Sequence, residues 1–309
     1  MMTSKALLFL FSIIILGSCI SKTDNRINII IDADTANEVD DLFALAGAMA
    51  SDEFNILGIT SAQFHTSPLA SDNTVSESQK MNEELIRLAG RTDISLPLGA
   101  NKPLESMVKP NNSPASKFIV DQANLVAAGD SLVLVILGSC TNVASAILQD
   151  PGIIPKIRVY YLGIWHNPAT NEYDKKEFNS GNDTLAVDLL LSMPGLDLTI
   201  MSATTSQYLV FDKDLTRSEL ADNGDLGEYL MNRWDTFNRW WKPEDSVKQD
   251  WIMWDVAILE SIAEPELAEK KTFLTPADLG ARPVTIYTKI DQVEMEKRFW
   301  SKVDNLSKR

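Results

Sequence analysis

Thiols and imidazoles are nearly absent from this sequence: 309 residues hold two cysteines, Cys19 and Cys140, and two histidines, His65 and His166. Two thiols leave no room for a disulfide framework. Basic residues are also scarce. Lys and Arg number 28 against 43 Asp and Glu, the formal net charge is −15, and no basic cluster interrupts the acidic excess. Phosphate binding needs patches of Lys and Arg, so nucleic acid is excluded as a main partner. The N-terminal apolar run, Ala6 to Leu16, has 11 residues and is short for a membrane span. Beyond it the chain shows no internal repeat and no Pro/Gly-rich linker, and 45% of all residues are apolar. That composition predicts one domain over 27–309.

What the N-terminus does hold is an address. Lys5 precedes the apolar run, and the small residues Gly17 and Ser18 come after it, which is the layout of a signal peptide over 1–18. The stretch "LGSC", Leu16 to Cys19, resembles a bacterial lipobox. That resemblance implies cleavage before Cys19, lipid on its sulfur, and a short polar tether over 19–26. The protein would then be secreted across the inner membrane and held to a membrane by its lipid alone, in the periplasm or at the cell surface. Cys140 would be the remaining thiol, with no internal disulfide to form.

Apolar, β-branched runs recur at Ile27–Ile31, Ile56–Thr60, Leu132–Leu137, Ile157–Leu162, Leu196–Met201 and Val284–Ile290. Most lack polar alternation, as strands buried on both faces do. Helical patterns lie between them, at Leu42–Met49, Ser78–Ala89, Ser116–Ala128, Val143–Leu148, Thr184–Leu191, Leu226–Phe237 and Ile252–Ile262. Such alternation predicts an α/β fold with a mainly parallel central sheet flanked by helices, which binds ligands at the carboxyl ends of its strands. Two polar segments, His65–Asn73 and His166–Asp183, read as surface loops. The tract Trp234–Trp254 carries five of the seven tryptophans, and core and helix packing is the expectation for most of them.

The densest signal is "IIIDADTANEVDDLFALAGAMA", Ile29 to Ala50. Asp32, Asp34, Glu38, Asp40 and Asp41 crowd the end of one predicted strand, where like charges raise each other's pKa. Helix capping and the helix dipole account for one or two of these acids. A phosphoryl-transfer site also places Asp-x-Asp after a first strand, but its later signals are missing. A hard divalent cation that collects the oxygens accounts for the whole set, and calcium or magnesium suits carboxylates better than zinc.

These residues carry a family resemblance. Asp-x-Asp, a spacer and Asp-Asp entering an apolar helix resemble the inosine–uridine-type nucleoside hydrolases. So do "LVLVILGSCTNVASAI" (Leu132 to Ile147), "NEYDKKEFN" (Asn171 to Asn179) with Asp183 after it, and "IMWDVAIL" (Ile252 to Leu259), in the same order. The resemblance implies a nucleoside hydrolase-like, Rossmann-like fold and calcium-dependent hydrolysis of the N-glycosidic bond of a ribonucleoside or other N-riboside. In that scheme Asp34, Asp41, Asp255 and the carbonyl of Leu137 bind the ion, and Asp34 is also the general base. Asp32 braces the loop. Asp40, Asn171, Glu177 and Asn179 hold ribose hydroxyls.

The sequence departs from the family pattern twice. The spacer between the second and third Asp has five residues, Thr35 to Val39, instead of three. Asn37 and Glu38 are therefore either added ligands or a reshaped turn, with a solvated acid as the plain alternative for Glu38. Trp254 stands where many members place the histidine that protonates the leaving base. His65 then counts as a candidate substrate contact, His166 as a candidate acid, and Trp165, Trp251 or Trp254 as a surface for stacking a base. The rival to hydrolysis is a non-catalytic riboside-binding lipoprotein that keeps the metal site. Self-association is left open.

Overall fold

Apolar runs with no polar alternation become strands covered on both faces. The computed structural model describes residues 25–306. The signal peptide, Cys19 and most of the tether lie outside the described residues. Along the chain the strands are β1 (Ile27–Ala33), β2 (Phe54–Ser61), β3 (Leu132–Ile136), β4 (Ile157–Leu162), β5 (Trp165–Asn167), β6 (Glu172–Asp174), β7 (Asp197–Met201), β8 (Val210–Asp212), β9 (Asp250–Ile252), β10 (Ala268–Leu274) and β11 (Pro283–Ile290). Seven of them form one sheet in the order β10-β11-β7-β4-β3-β1-β2, parallel throughout except for the antiparallel edge strand β10. This is the mainly parallel sheet expected, and all six predicted runs lie in it.

Side chains alternate between the two faces. Ile29, Ile31 and Ala33 of β1 join Val133 and Val135 of β3 in one apolar cluster, with helices Asp40–Ala50, Trp254–Ala263 and Gln292–Leu306. Ile30 joins Leu132, Leu134 and Ile136 in the other, with helices Pro114–Leu125, Thr141–Gln149 and Thr184–Ser192. Every residue of helix Asp40–Ala50 is buried, including both aspartates of its first turn. All seven predicted helices are present within a few residues.

Not expected were β10, the hairpin β5–β6, the antiparallel pair β8–β9, the short helices Phe178–Asn182, Ala203–Ser206 and Lys213–Glu219, and the helix Gln292–Leu306. β10 reads "AEKKTFL" and is mostly exposed. A charged edge strand hides its strand character because only one side of it pairs. The His166–Asp183 segment is not simply a loop, since it holds the β5–β6 turn and helix Phe178–Asn182.

The register sets up the site. Ile136 of β3 pairs with Asp32 of β1 and Tyr161 of β4, and Leu162 pairs with Met201 of β7. These parallel strands therefore end level, and the residues just beyond their carboxyl ends share one rim.

Candidate functional site

A cavity of about 340 Å³ opens at that rim. Asp34 comes after β1, Leu137 comes after β3, Leu162 ends β4 and Ala203 lies just past β7, and all four line the cavity. The first turns of helices Asp40–Ala50 and Trp254–Ala263 add Asp40, Asp41, Trp254 and Asp255. Helix N-termini carry partial positive charge, which favours carboxylates there. Gly138 lets the β3 turn close on Asp34, because a Cβ on it would sit 2.9 Å from Asp34 Cγ.

Asp40, Asp41 and Asp255 bring carboxylate oxygens within 4.8 Å of one another, and all three residues are buried. Segments 215 residues apart in sequence thus meet at one point. The Asp255 N–H donates to Asp40 Oδ2 at 3.1 Å and locks the two helix starts together. Asp34 Oδ2, Asp41 Oδ1 and Asp255 Oδ1 are buried with no hydrogen-bond partner. Burial raises the pKa of Asp34, Asp41 and Asp255 well above the carboxylate range, and their neighbours' negative charges raise it further. Burial pushes Asp40 up to about 7. Unpaired, crowded carboxylate oxygens with no thiol or imidazole among them are the donor set of a hard divalent cation. The residues therefore fit calcium.

The sequence placed Asp40 on the sugar, and the geometry groups it with the metal ligands as well. Asp34 and Leu137 line the same cavity. The Leu137 carbonyl already accepts from Asn179 Nδ2 at 2.6 Å and has a second lone pair to offer. Asp32 lies behind the site. Its Oδ1 accepts from Thr60 Oγ1 at 2.6 Å and Asn142 Nδ2 at 2.9 Å, tying the end of β1 to β2 and to helix Thr141–Gln149, and burial pushes its carboxyl up to about 6.

Glu177 caps helix Phe178–Asn182. Its carboxylate accepts from the N–H groups of Ile164, Asn179 and Ser180, which fixes it at the cavity edge. Asn179 lines the cavity beside it. Asp183 caps helix Thr184–Ser192 through Ala186 N–H at 3.0 Å.

Three expected contacts are not brought there. Asn171 sits at the β5–β6 turn with φ +55°, and its amide donates to the Leu274 carbonyl at 2.8 Å. The hairpin carries it away from the rim. His65 Nδ1 bonds to Gln63 Oε1 at 2.7 Å, outside the lining residues. His166 is buried between Tyr173 and Phe273, 3.2 Å from Asn171 Oδ1, and burial lowers its pKa. Neither histidine lines the cavity.

The long spacer is not a solvated turn. Asn37 and Glu38 line the cavity, and Glu38 Oε1 accepts the Trp251 indole N–H at 2.9 Å. Thr35 donates to Asn82 Oδ1 at 2.7 Å, and Arg233 donates to the Ala36 and Glu38 carbonyls. Sequence reasoning missed Arg233, because no local spacing ties it to a loop 195 residues earlier.

The expectation for the tryptophan tract is also corrected. Trp240 and Trp241 line the cavity together with Trp165, Trp251 and Trp254, the three offered as stacking surfaces, while Trp234 and Trp251 are both buried in the core. Trp165 and Trp254 meet edge to face at 5.9 Å. Arg239, Lys242 and Phe178 complete the wall.

The family profile described as inosine-uridine preferring nucleoside hydrolase matches residues 29–302. A probable uridine nucleosidase 2 from Arabidopsis thaliana is 25% identical over 240 residues, covering 69% of this chain and 70% of that protein. The fold resembles a purine-preferring ribonucleoside hydrolase from Gardnerella vaginalis, with TM-score 0.71, 18% identity and coverage of 91% and 99% of the two chains. It also resembles the type III effector XopQ, solved with adenosine diphosphate ribose, with TM-score 0.65, 12% identity and coverage of 91% and 93%. The match across 29–302 spans most of the chain, and the chain belongs to the inosine-uridine preferring nucleoside hydrolase family.

Proposed function

We propose that this family member hydrolyses the N-glycosidic bond of a ribonucleoside, with calcium held in its carboxylate cluster, and releases base and ribose. The observation that carries this reading is the convergence of Asp40, Asp41 and Asp255 beneath a cavity at the strand ends, with buried carboxylate oxygens that no protein group satisfies. Asp34, Asp41, Asp255 and the Leu137 carbonyl would hold the ion, with Asp40 near enough to join them. Bound there, calcium neutralises the clustered charge and makes water more acidic.

Asp34 takes the proton of the attacking water as general base. Positive charge develops at the sugar C1′ as the base leaves, and the surrounding carboxylates stabilise it. Asp40, Glu177 and Asn179 orient the ribose through its hydroxyls. Asn179 commits its Nδ2 to the Leu137 and Leu162 carbonyls, so its Oδ1 is the atom left to accept from the sugar. Trp254 offers its face to the base in place of an acid.

The substrate in this reading is a small N-riboside and no polymer, which the net charge of −15 and a cavity of about 340 Å³ support. The relatives' names point to different bases, so none is carried over. The lipobox-like Leu16–Cys19 supports anchoring by lipid outside the bacterial inner membrane. Among the described residues no helix is long and apolar enough to cross a membrane.

The test is a reducing-sugar assay over a panel of ribonucleosides, with and without calcium. Ribose released only in calcium is the expected result. Nucleoside binding with no ribose release in either condition would mean capture and would overturn hydrolysis.

A further inference from the structure

The carboxylate floor explains ribose and metal but leaves the base unassigned, and the cavity offers the base no histidine. It does offer Arg239. This side chain lines the cavity although the residue is only 8% exposed. Its Nη1 pairs with Asp245 Oδ2, its Nη2 donates to the Asp250 carbonyl at 2.6 Å, and its Cζ lies 3.9 Å above the Trp251 ring. The guanidinium is thus pinned on two sides and stacked on a third. Its Nε–H is buried with no partner. A buried charged donor left unsatisfied is costly, and a ligand that brings an acceptor recovers that cost. Glu38, the nearby carboxylate that feels this charge, is already committed to the Trp251 indole.

We propose that Arg239 selects the base: its guanidinium donates to a ring carbonyl oxygen of a base held among Trp240, Trp241 and Trp254, so that oxo bases are taken in preference to amino bases. An arginine has donors and no acceptor, so it pairs with a carbonyl and meets an exocyclic amine donor to donor. The same contact grows stronger as the base departs, because an oxo base carries its negative charge onto that oxygen. The preference needs no proton transfer from the protein. It deepens the hydrolase reading and rests on it.

Inosine and adenosine test it, since they share the ribose and purine skeleton and differ only at one edge, a carbonyl beside an N–H against an amine beside a bare ring nitrogen. The wild-type protein in calcium is expected to favour inosine in kcat/KM by on the order of 10- to 100-fold. Arg239→Met should remove most of that preference by slowing inosine far more than adenosine. Arg239→Lys keeps a charge beside Asp245 but loses the planar fork, and should fall between the two. Each variant is first shown to melt cooperatively. If Arg239→Met does not fold, Arg239→Lys decides. Equal losses on both nucleosides, the signature of a merely structural residue, would overturn the proposal, as would a wild-type preference for adenosine. Titration with the same two nucleosides, monitored by tryptophan fluorescence, reads the discrimination without turnover. No ribose release together with an Arg239-dependent inosine preference in binding sinks the hydrolase reading and keeps this one. No difference in binding between the two nucleosides sinks this one.

Discussion

The floor and the wall of this cavity are built by different means. The floor stands on strand ends and on two helix N-termini inside the core, and Asp34, Asp40, Asp41 and Asp255 are each at most 3% exposed. The wall comes largely from the irregular stretch between helix Gly224–Thr236 and β9, where Trp240 and Trp241 are 37% and 44% exposed. One pinned arginine and ring-on-ring contacts hold that wall, such as Trp240 on Trp241 at 5.3 Å. The floor is therefore fixed by the fold, and the wall is free to differ without disturbing it. Chemistry common to the family fits the first and base choice fits the second. Changes to the floor should stop turnover, whereas changes to the wall should alter which base is taken and how tightly.

The largest effect is expected at Asp34. Asp34→Ala would remove the proposed general base and a proposed metal ligand together, and kcat should then fall by about 10⁴-fold. Circular dichroism should show the fold intact, and wild-type turnover in this variant would remove the base assignment. Calcium itself comes next. At a thousandfold excess over its Kd it should add about 4 kcal/mol to stability, a rise of about 10 °C in Tm. Asp255→Asn should erase most of that rise, and an unchanged Tm between chelator and millimolar calcium would remove the metal site.

The floor could be read in the sequence because repulsion makes its pattern improbable. Five acids crowded at a strand end need a reason, and a cation supplies one. Asp255 is a different case: nothing local marks it, and only the family likeness of "IMWDVAIL" tied it to Asp41. Trp240 and Trp241 were misread because a tryptophan looks the same in sequence whether it fills a core or faces a ligand. Trp234 and Trp251 are buried, Trp240 and Trp241 are not, and no spacing separates the two pairs. Asn171 lies off the rim for a topological reason, since a tight hairpin turns it toward β10. Strands buried on both faces were legible, and the charged edge strand β10 was not.

Arg233 probes the junction between floor and wall. It sits on helix Gly224–Thr236 and holds the Ala36 and Glu38 carbonyls of the long spacer, stacked over Phe237 at 4.7 Å. Arg233→Ala leaves two carbonyls short of a donor, at about 1–3 kcal/mol each where they are buried. The expected result is a lower Tm and a kcat/KM reduced by about 10-fold. Unchanged kinetics would mean the spacer holds its shape without this clamp.

The floor should also set how stability depends on pH. In the calcium-free protein Asp32 has its pKa pushed up to about 6 and Asp40 to about 7, and burial raises Asp34, Asp41 and Asp255 as well. Between the ordinary carboxylate range and these values the folded chain keeps protons that the unfolded chain has released. Stability therefore falls as pH rises through that window. The calcium-free Tm should drop between about pH 5 and pH 7. Saturating calcium, which binds the charged forms of Asp34, Asp40, Asp41 and Asp255, should flatten their part of the drop and leave that of Asp32, and parallel curves with and without calcium would show that those four acids do not face the ion.

The smallest effect is expected from the exposed part of the wall. Trp240→Ala removes one stacking face from a side chain that keeps 37% of its surface in water. Base–aromatic stacking is worth about 1–3 kcal/mol per base, and the lower end applies to a ring so solvated. KM should therefore rise by about 5- to 10-fold while kcat stays within about twofold. Inosine and adenosine should be affected alike, because a stacked ring face does not tell a carbonyl from an amine. That equality separates Trp240 from Arg239. If Trp240→Ala shifted the choice between the two nucleosides, selection would belong to the shape of the whole wall and not to one donor within it.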